Sequence, residues 1–326
     1  MSRVHIDIGV NSAFMTRRYE KPESWAKIIS DLGFDYVSLD SDALDPFFSG
    51  DLPYILDVAK EVGKLAKEAD LKVSDYFTGF ASYRFFGLGH QAPEQRARMT
   101  EWVRGSIQIA AAMGGRGMGG RFDAFSVETL ENPAELEKRY NGVIESYRDL
   151  AVEAGQAGLE ALYFEQMYVP SLIPYTIDQT YDYIRNVNKD RKGVTVRPVV
   201  DLGHMCGQEY GVQGDDLFYE KWMEKFAAAC HVIHIQQTRR SASDHGPFAA
   251  SCKGDIDMGV VLETLETSIK NAQNEAWSEY LDVPQQIYLI LEALPSTRES
   301  EQQVLEQLHE SNEYLRKYVP KGGLWL

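Results

Sequence analysis

Hydrophobic and polar residues along the chain form one unit that recurs from the beginning of the sequence to its end. Each unit opens with a short run of apolar, β-branched or aromatic residues, which is typical of a buried strand. A polar loop follows, and then a longer segment in which apolar residues recur at helical spacing. In the second such segment Ile55, Ala59, Val62 and Ala66 recur every three or four residues, which predicts an amphipathic helix.

This alternation predicts eight strands and eight helices. The predicted strands are His5–Val10, Tyr36–Asp40, Lys72–Thr78, Gly115–Gly120, Leu159–Glu165, Val196–Asp201, His231–Gln236 and Gln286–Glu292. The predicted helices are Pro22–Leu32, Tyr54–Glu68, Pro93–Met113, Pro133–Ala157, Ile177–Asn188, Leu217–Ala229, Gly259–Asn271 and Glu299–Lys317. Eight strands that are each followed by a helix indicate an α/β fold, the (β/α)₈ TIM barrel, and we expect residues 1–326 to form a single TIM-barrel domain.

A doubly wound open sheet is the alternative that strand–helix alternation also allows. However, the first strand–helix turn, GVNSAFM, lacks the G-x-G-x-x-G fingerprint of dinucleotide-binding sheets. Long loops follow the predicted strands 2, 3 and 7, at residues 41–53, 79–92 and 237–258. Insertions after strands surround the active-site face of a barrel, so these loops favour the barrel.

Composition narrows the class of partner. The chain has 326 residues with 33 basic and 49 acidic side chains, a formal net charge of −16, which disfavours binding to nucleic acid or an anionic membrane surface. No run is apolar enough to predict a signal peptide or a membrane span. Cys206, Cys230 and Cys252 form no C-x-x-C motif. An odd number of cysteines suits a reducing compartment, and we therefore expect a cytoplasmic protein.

Four successive predicted strands carry a potential metal ligand at or near their carboxyl ends. These residues are Glu165, Asp201, His234 and Glu292. Because side chains alternate across a strand, Glu165 shares a face with Tyr163, and Glu292 shares one with Ile290. If these faces point into the barrel, the four side chains converge above its interior. Three converging carboxylates repel one another unless a cation lies between them. Such an oxygen-rich set favours Mn²⁺ or Mg²⁺, with Co²⁺ or Zn²⁺ as further candidates.

Each of these residues also has a simpler explanation. An aspartate at a strand end often caps the next helix, and a glutamate there is often only solvated. A single histidine in a strand is more often a hydrogen-bonded core residue, which is our interpretation of His231. The presence of all four ligand types on consecutive strands favours the metal site.

Basic residues in the loop after strand 7 are candidates for binding a phosphate. Arg239, Arg240, His245 and Lys253 lie in this loop, and many barrels bind phosphate beside strands 7 and 8. The alternative is that they are ordinary solvated charges. Two further arginines, in the glycine-rich fourth unit, form a second candidate group, Arg116 and Arg121. Side chains that could line the pocket are Asn11, Tyr76, Tyr168 and Phe248.

The segments that carry these residues resemble the xylose isomerase-like TIM-barrel superfamily of sugar isomerases, ketose 3-epimerases, inosose dehydratases and an AP endonuclease. The resemblance extends from strand 1 to strand 8 and is most specific in ALYFEQMYVPSLIPYTI, VVDLGHMCG, HVIHIQQT, GDIDMG and YLILEAL. Two of these segments look like those of the branch that acts on D-erythrulose 1-phosphate (tetrulose-phosphate 3-epimerases). The chain departs from the usual G-x-G-x-I-D-W after strand 7, because Cys252 and Met258 replace its first glycine and its tryptophan.

The resemblance implies roles for particular residues. Glu165, Asp201, His234 and Glu292 match the four residues that bind one divalent metal ion in ketose 3-epimerases, with Glu165 and Glu292 as the catalytic acid/base pair. His204 matches the D-x-x-H histidine that contacts substrate. With Asn11, Tyr168, Arg239, Arg240 and His245, it makes up the expected substrate-binding set. A homo-oligomer, a dimer or a tetramer, is usual for the family.

The expected reaction is C3 epimerisation of a small ketose phosphate, favoured as erythrulose 1-phosphate. One glutamate would remove the proton and the other would return it, through an enediolate that the metal stabilises. An aldose–ketose isomerase, a 3-epimerase of a non-phosphorylated sugar and an inosose-type dehydratase remain alternatives. Two further alternatives belong to other functional classes. A nuclease for abasic DNA would need a basic groove and more histidines than this chain has. A non-catalytic sugar-binding barrel would contain no bound metal.

Overall fold

The computed structural model describes residues 3–15, 19–79 and 87–326, and eight parallel strands in these ranges close into a barrel. The strands are β1 His5–Asn11, β2 Tyr36–Asp40, β3 Lys72–Phe77, β4 Gly117–Gly119, β5 Ala161–Glu165, β6 Thr195–Asp201, β7 Val232–Ile235, β8 Gln286–Leu291 and a short β9, Leu324–Trp325. The helices are α1 Pro22–Asp31, α2 Leu52–Glu68, α3 Pro93–Ala112, α4 Val127–Leu130, α5 Pro133–Gln156, α6 Ile177–Asn188, α7 Tyr219–Phe226, α8 Met258–Asn271 and α9 Glu301–Leu315.

Strand pairing closes the sheet. Each strand from β2 to β7 pairs in parallel with the next, and β1 pairs in parallel with both β8 and β2. The strand β9 adds an antiparallel pair to the amino-terminal end of β1, where Ile6 faces Leu324. The predicted α/β barrel is therefore confirmed, and the open sheet is excluded because such a sheet leaves its two edge strands unpaired.

The predicted elements differ from the observed ones mainly at their ends. The fourth strand is three residues long rather than six, and α7 is flanked by 3₁₀ turns that the sequence pattern merges with it. The helix α4 and the strand β9 are not predicted, because four and two residues are too short to show a period. Glu292 lies one residue beyond β8 instead of ending it.

Glycines in β4 make room inside the barrel. A Cβ atom on Gly119 would lie 2.1 Å from Cβ of Tyr163 on the adjacent strand, and one on Gly117 would lie 2.3 Å from its hydroxyl oxygen. Side chains at these positions would overlap the tyrosine ring. The glycine-rich sequence, unusual for a strand, therefore accommodates a large aromatic residue of β5.

Two apolar layers surround the strands. The barrel interior is filled by alternate residues of the strands, Tyr36, Phe77, Ala161, Tyr163, Val199, Val232, Tyr288 and Ile290. A larger cluster packs the outer faces of the strands against the helices. Because Tyr163, Val199, Val232 and Ile290 point inward, the residues two positions further along each strand point to the centre of the barrel's carboxyl end.

Several helices begin at side-chain caps that the sequence encodes. Side chains of Asp51, Asn132 and Thr176 accept hydrogen bonds from backbone amides in the first turns of α2, α5 and α6. Ser300 forms a capping box with Gln303 at the start of α9. No helix in the described ranges combines the length and the apolar character that crossing a bilayer requires.

Candidate functional site

Four side chains converge at the carboxyl end of the barrel, as the strand pattern predicts. Their ligand atoms all lie within 4.8 Å of one another, and the residues are Glu165, Asp201, His234 and Glu292. Nδ1 of His234 lies 2.9 Å from Oε1 of Glu165, 3.4 Å from Oε2 of Glu292 and 3.9 Å from Oδ2 of Asp201. The imidazole nitrogen is thus surrounded by three carboxylates.

The charged side chains of this cluster are buried, which makes their ionised forms costly in free energy. Asp201 and His234 are completely buried, and Glu165 is 7% exposed. Burial raises the pKa of Asp201 to about 6. Although burial opposes its charge, the carboxylates of Glu292 and Glu165 raise the pKa of His234 well above its usual value. Burial also opposes the charge of Glu292, yet His234 and His245 lower its pKa well below the usual range. The cluster carries an excess of negative charge that favours a cation.

Hydrogen bonds fix the orientation of the Asp201 carboxylate but engage only one of its two oxygens. Its Oδ1 accepts from Nε2 of Gln236 at 2.7 Å and from the amide of Gly203 at 2.6 Å. The side-chain amide of Gln166 pairs with the backbone N–H and C=O of Asp201, at 3.0 Å for both bonds. The remaining oxygen, Oδ2, is buried and accepts no hydrogen bond from any described residue. An oriented, desolvated carboxylate oxygen of this kind fits a metal ligand.

The donor set fits one divalent cation. Three carboxylates and one imidazole are suited to Mn²⁺ or Mg²⁺, and a cation at their centre would remove the repulsion between the carboxylates. The simpler explanation for Asp201, a helix cap, is wrong for this side chain, because its hydrogen bonds go to Gln236 and to the turn at Gly203. This cluster could therefore hold a metal ion.

Two further histidines lie beside the cluster in one pocket. The pocket is lined by Asn11, Ala13, Asp40, Asp42, Phe77, Thr78, Gly79, Glu165, Met167, Tyr168, His204, His245, Glu292 and Leu294. Nδ1 of His204 lies 2.9 Å from the carbonyl oxygen of Gln166 and must donate to it, because a carbonyl only accepts. In the neutral ring, Nε2 of His204 is then an acceptor. The ring also contacts that of Tyr168, with centroids 5.2 Å apart.

His245 is held in an uncommon backbone conformation beside Glu292. Its φ of 47° lies in the left-handed region, which non-glycine residues rarely adopt. Its amide donates to Oε1 of Gln236 at 2.6 Å, and its carbonyl accepts from the amide of Leu294 at 2.9 Å. These bonds place Nδ1 of His245 3.3 Å from Oε2 of Glu292. Strained backbone that is fixed from both sides is common at functional sites.

The structure does not bring every candidate residue to the pocket. Arg239 pairs with both carboxylate oxygens of Asp244, Arg240 pairs with Glu220, and neither lines the pocket. Lys253 is exposed and is also absent from the lining. The predicted phosphate contacts of Arg239 and Arg240 would require both to leave their present partners.

Other candidates serve the packing of the barrel. Arg121 is completely buried and donates to the carbonyl oxygens of Glu165 and Ile173, so it supports the backbone behind the cluster. Arg116 lies at the opposite end of the barrel. The hydroxyl of Tyr76 donates to a backbone carbonyl, and the ring of Phe248 stacks on Tyr314. None of these four lines the pocket. His231 is buried and contacts the Tyr163 hydroxyl at 3.3 Å, as expected of a core histidine.

Sequence reasoning missed the residues that orient the cluster. Gln236 follows His234 on the same strand face, and this two-residue spacing is a signal that points it at the site. Gln166 has no such signal, because it acts through the backbone of the neighbouring strand. Asp40 ends β2 as Asp201 ends β6, so the strand-end position that identified the four candidate metal ligands also marks Asp40 as a candidate site residue.

The sequence matches the model of a known family over most of its length. The xylose isomerase-like TIM barrel model matches residues 26–272. The chain belongs to the xylose isomerase-like TIM barrel family. This confirms the predicted membership. The chain is also 20% identical to D-erythrulose 1-phosphate 3-epimerase of Brucella abortus (strain 2308) over 321 residues, which cover 98% of each protein.

Solved structures show the same fold. A protein from Rhodospirillum rubrum ATCC 11170, provisionally described as a xylose isomerase, superposes with a TM-score of 0.84 at 23% identity, over 97% of this chain and 100% of that one. L-ribulose 3-epimerase superposes with a TM-score of 0.67 at 17% identity, over 97% and 93% of the two chains. D-psicose 3-epimerase from Clostridium cellulolyticum H10 gives 0.66 at 13% identity, over 96% and 98%.

Proposed function

We propose that this protein is a metal-dependent sugar epimerase that inverts the carbon next to a ketone in a small ketose. The observation that carries the proposal is the convergence of Glu165 and Glu292 on one buried cluster from strands that two others separate. The similarity to epimerases of erythrulose 1-phosphate, ribulose and psicose supports the same reaction class. The favoured substrate is a tetrulose phosphate, erythrulose 1-phosphate.

The two glutamates would divide the proton transfer. One removes the proton from C3, and the electron pair of the broken C–H bond delocalises into the C2 carbonyl. The other glutamate then delivers a proton to the opposite face of C3, which inverts its configuration. When bound by Glu165, Asp201, His234 and Glu292, a divalent cation would stabilise the negative charge that develops on the carbonyl oxygen. We favour Mn²⁺, with Mg²⁺, Co²⁺ and Zn²⁺ as the other candidates.

Neighbouring residues would orient the sugar. Nε2 of His204 is available to accept a hydrogen bond from a substrate hydroxyl, whereas donation to a substrate oxygen would need a second proton on the ring. His245 lies against Glu292 and would fix the orientation of that carboxylate. Tyr168 and Asn11 line the same pocket and would contact the substrate. Arg239 and Arg240 remain candidates for a phosphate only if they are released from Asp244 and Glu220.

A panel of substrates tests this proposal. Ketoses of four to six carbons and their 1-phosphates are incubated in D₂O with Mn²⁺ or with EDTA, and the products are examined by NMR. Epimerisation with deuterium incorporated at C3, abolished by EDTA, is expected for at least one tetrulose. Aldose formation or loss of water would instead indicate an isomerase or a dehydratase, and the absence of exchange at any carbon would contradict the proposal.

The cellular setting is also a proposal. We propose a cytoplasmic homo-oligomer, a dimer or a tetramer, and the free thiols of Cys206, Cys230 and Cys252 suit a reducing compartment. Light scattering coupled to gel filtration would measure the oligomeric state directly.

A further inference from the structure

The pocket has a second polar wall that the proposed proton transfer does not use. The metal-binding candidates come from β5 to β8, whereas this second wall comes from the ends of β1 to β3. Its lining residues are Asn11, Asp40, Asp42, Thr78 and Gly79. A small ketose whose reacting carbons lie at the metal cluster would therefore present one of its ends to this wall.

Asp40 is the buried acidic group of this wall. It is the last residue of β2 and is only 3% exposed. Its Oδ2 accepts from the hydroxyl of Ser12 at 2.8 Å, and its Oδ1 accepts from the amide of Asp42 at 3.0 Å. The Ser12 hydroxyl in turn accepts from the amide of Asp40 at 2.8 Å. A carboxylate can accept about four hydrogen bonds. Asp40 has three donors among the described residues, the Ser12 hydroxyl and the amides of Asp42 and Ala43, so an acceptor position is left.

Asp40 has hydrogen-bond donors but no cationic partner among the described residues. No lysine or arginine is found among the described residues that line the pocket. Burial raises the pKa of Asp40 to about 7. A hydroxyl donor at a free acceptor position would stabilise the carboxylate.

We propose that Asp40 accepts a hydrogen bond from a terminal hydroxyl group of the ketose. The proposal rests on the sugar-epimerase function proposed above and adds the subsite that determines substrate orientation.

Binding measurements with matched ligands test the subsite. Erythrulose is titrated into the Mn²⁺-loaded protein by calorimetry, alongside the two analogues that each lack one terminal hydroxyl, 3,4-dihydroxybutan-2-one and 1,3-dihydroxybutan-2-one. One analogue should bind roughly 10- to 100-fold more weakly than erythrulose, because a hydrogen bond to a charged group is lost. In Asp40→Ala, erythrulose should bind as weakly as that analogue, and the analogue's own affinity should not change further.

Two variants separate this effect from a folding defect. Asp40→Asn keeps an oxygen that accepts from Ser12 while removing the charge, so it should fold normally and bind erythrulose more weakly than the wild type. Asp57→Asn makes the same change on the exposed surface of α2, where the side chain is 76% exposed, and should bind erythrulose like the wild type. The proposal would be overturned if both Asp40 variants bound erythrulose as tightly as the wild type does. It would also be overturned if the two analogues bound more weakly than erythrulose by the same factor in the wild type and in every variant.

Turnover distinguishes this inference from the proposed function. If erythrulose binds with the predicted dependence on Asp40 but no ketose exchanges its C3 hydrogen, the subsite is supported and the epimerase proposal fails. If C3 exchange occurs but substitution of Asp40 does not change the difference in affinity between erythrulose and either deoxy analogue, the subsite alone is wrong. If erythrulose does not bind at millimolar concentration, the subsite is contradicted, and the panel of ketoses and ketose 1-phosphates alone decides the epimerase proposal.

Discussion

The two ends of the barrel interior each hold a cluster of polar side chains, and the clusters differ in how their charges are balanced. At the amino-terminal ends of the strands, the polar groups form a hydrogen-bonded network around Arg116. At the carboxyl ends, carboxylates outnumber the groups that could neutralise them. The comparison indicates which end serves stability and which serves chemistry.

The amino-terminal cluster is closed. The Arg116 guanidinium donates to the Tyr288 hydroxyl at 2.9 Å and to Oε1 of Gln286 at 3.1 Å, and it forms an ion pair with Glu160. Nε2 of Gln286 donates to Oδ2 of Asp7 at 2.6 Å. These groups fulfil one another's hydrogen-bonding requirements, so the network needs no ligand.

The carboxyl-terminal cluster is open. Oδ2 of Asp201 is buried and accepts no hydrogen bond from the part of the chain that the structure describes. Three carboxylates surround a single imidazole nitrogen, His234 Nδ1. Buried groups that lack partners destabilise a protein, and they are retained where a ligand or a reaction needs them. We therefore propose that the unbalanced end is the functional one.

The largest expected effect follows from neutralising a proton-transfer residue at the open end. With saturating Mn²⁺, Glu165→Gln or Glu292→Gln should lower kcat for C3 epimerisation by about 10²- to 10⁴-fold, the usual contribution of a general acid or base. Glu61→Gln, on the exposed surface of α2, is the matched control and should leave kcat unchanged. If both glutamine variants keep full activity, the open cluster is not the site of proton transfer.

Metal removal should destabilise the open end and leave the closed end intact. A ligand that binds only the folded state at 100 times its Kd stabilises it by about 2.7 kcal/mol. Thermal unfolding of the EDTA-treated protein should therefore begin at a lower temperature, and added Mn²⁺ should restore the transition. Asp201→Asn should show little response to Mn²⁺. An identical melting temperature without metal and with Mn²⁺ at a concentration far above its Kd would contradict this expectation.

A substitution at the closed end should lower the free energy of unfolding without changing kcat. Arg116→Met removes the donor to the Tyr288 hydroxyl oxygen and one of the two donors to the Gln286 side-chain carbonyl, which should lower the free energy of unfolding by roughly 1–3 kcal/mol. Urea unfolding measures this change, and kcat of the folded enzyme should stay at the wild-type value. A large loss of kcat with unchanged stability would mean that the two ends are not functionally separate.

The smallest effect is expected from the two arginines of the loop after β7. Arg239→Gln and Arg240→Gln remove exposed side chains that already have acidic partners, so kcat/KM for a ketose 1-phosphate should change little. The corresponding non-phosphorylated ketose is the comparison substrate. A rise in KM for the phosphate alone would show that these arginines leave Asp244 and Glu220 and bind the phosphate.

Much of the barrel could be predicted because its pattern is local. Apolar runs and amphipathic segments identified the eight barrel strands, and period-two alternation correctly oriented Glu165, Asp201, His234 and Glu292 toward one point. The assignment of metal binding and catalysis to these residues remains a proposal. So does the interpretation of residues 1–326 as one domain.

The rest depends on contacts between distant segments. Arg239 and Arg240 looked available for phosphate in the sequence, but their ion pairs depend on how the loop folds and on α7. The roles of Gln166 and Gln236 depend on the strand next to their own, and the charge around Asp40 depends on the turn after β1. Such pairings have no period along the chain, so a single sequence does not show them.

Titration of the metal-free protein with Mn²⁺ by calorimetry tests the central claim most directly. The account predicts one ion bound per chain in the wild type and in Arg116→Met, and binding abolished or greatly weakened in Asp201→Asn. If the wild type binds no Mn²⁺, or if Asp201→Asn binds it as tightly as the wild type, the open cluster is not a metal centre.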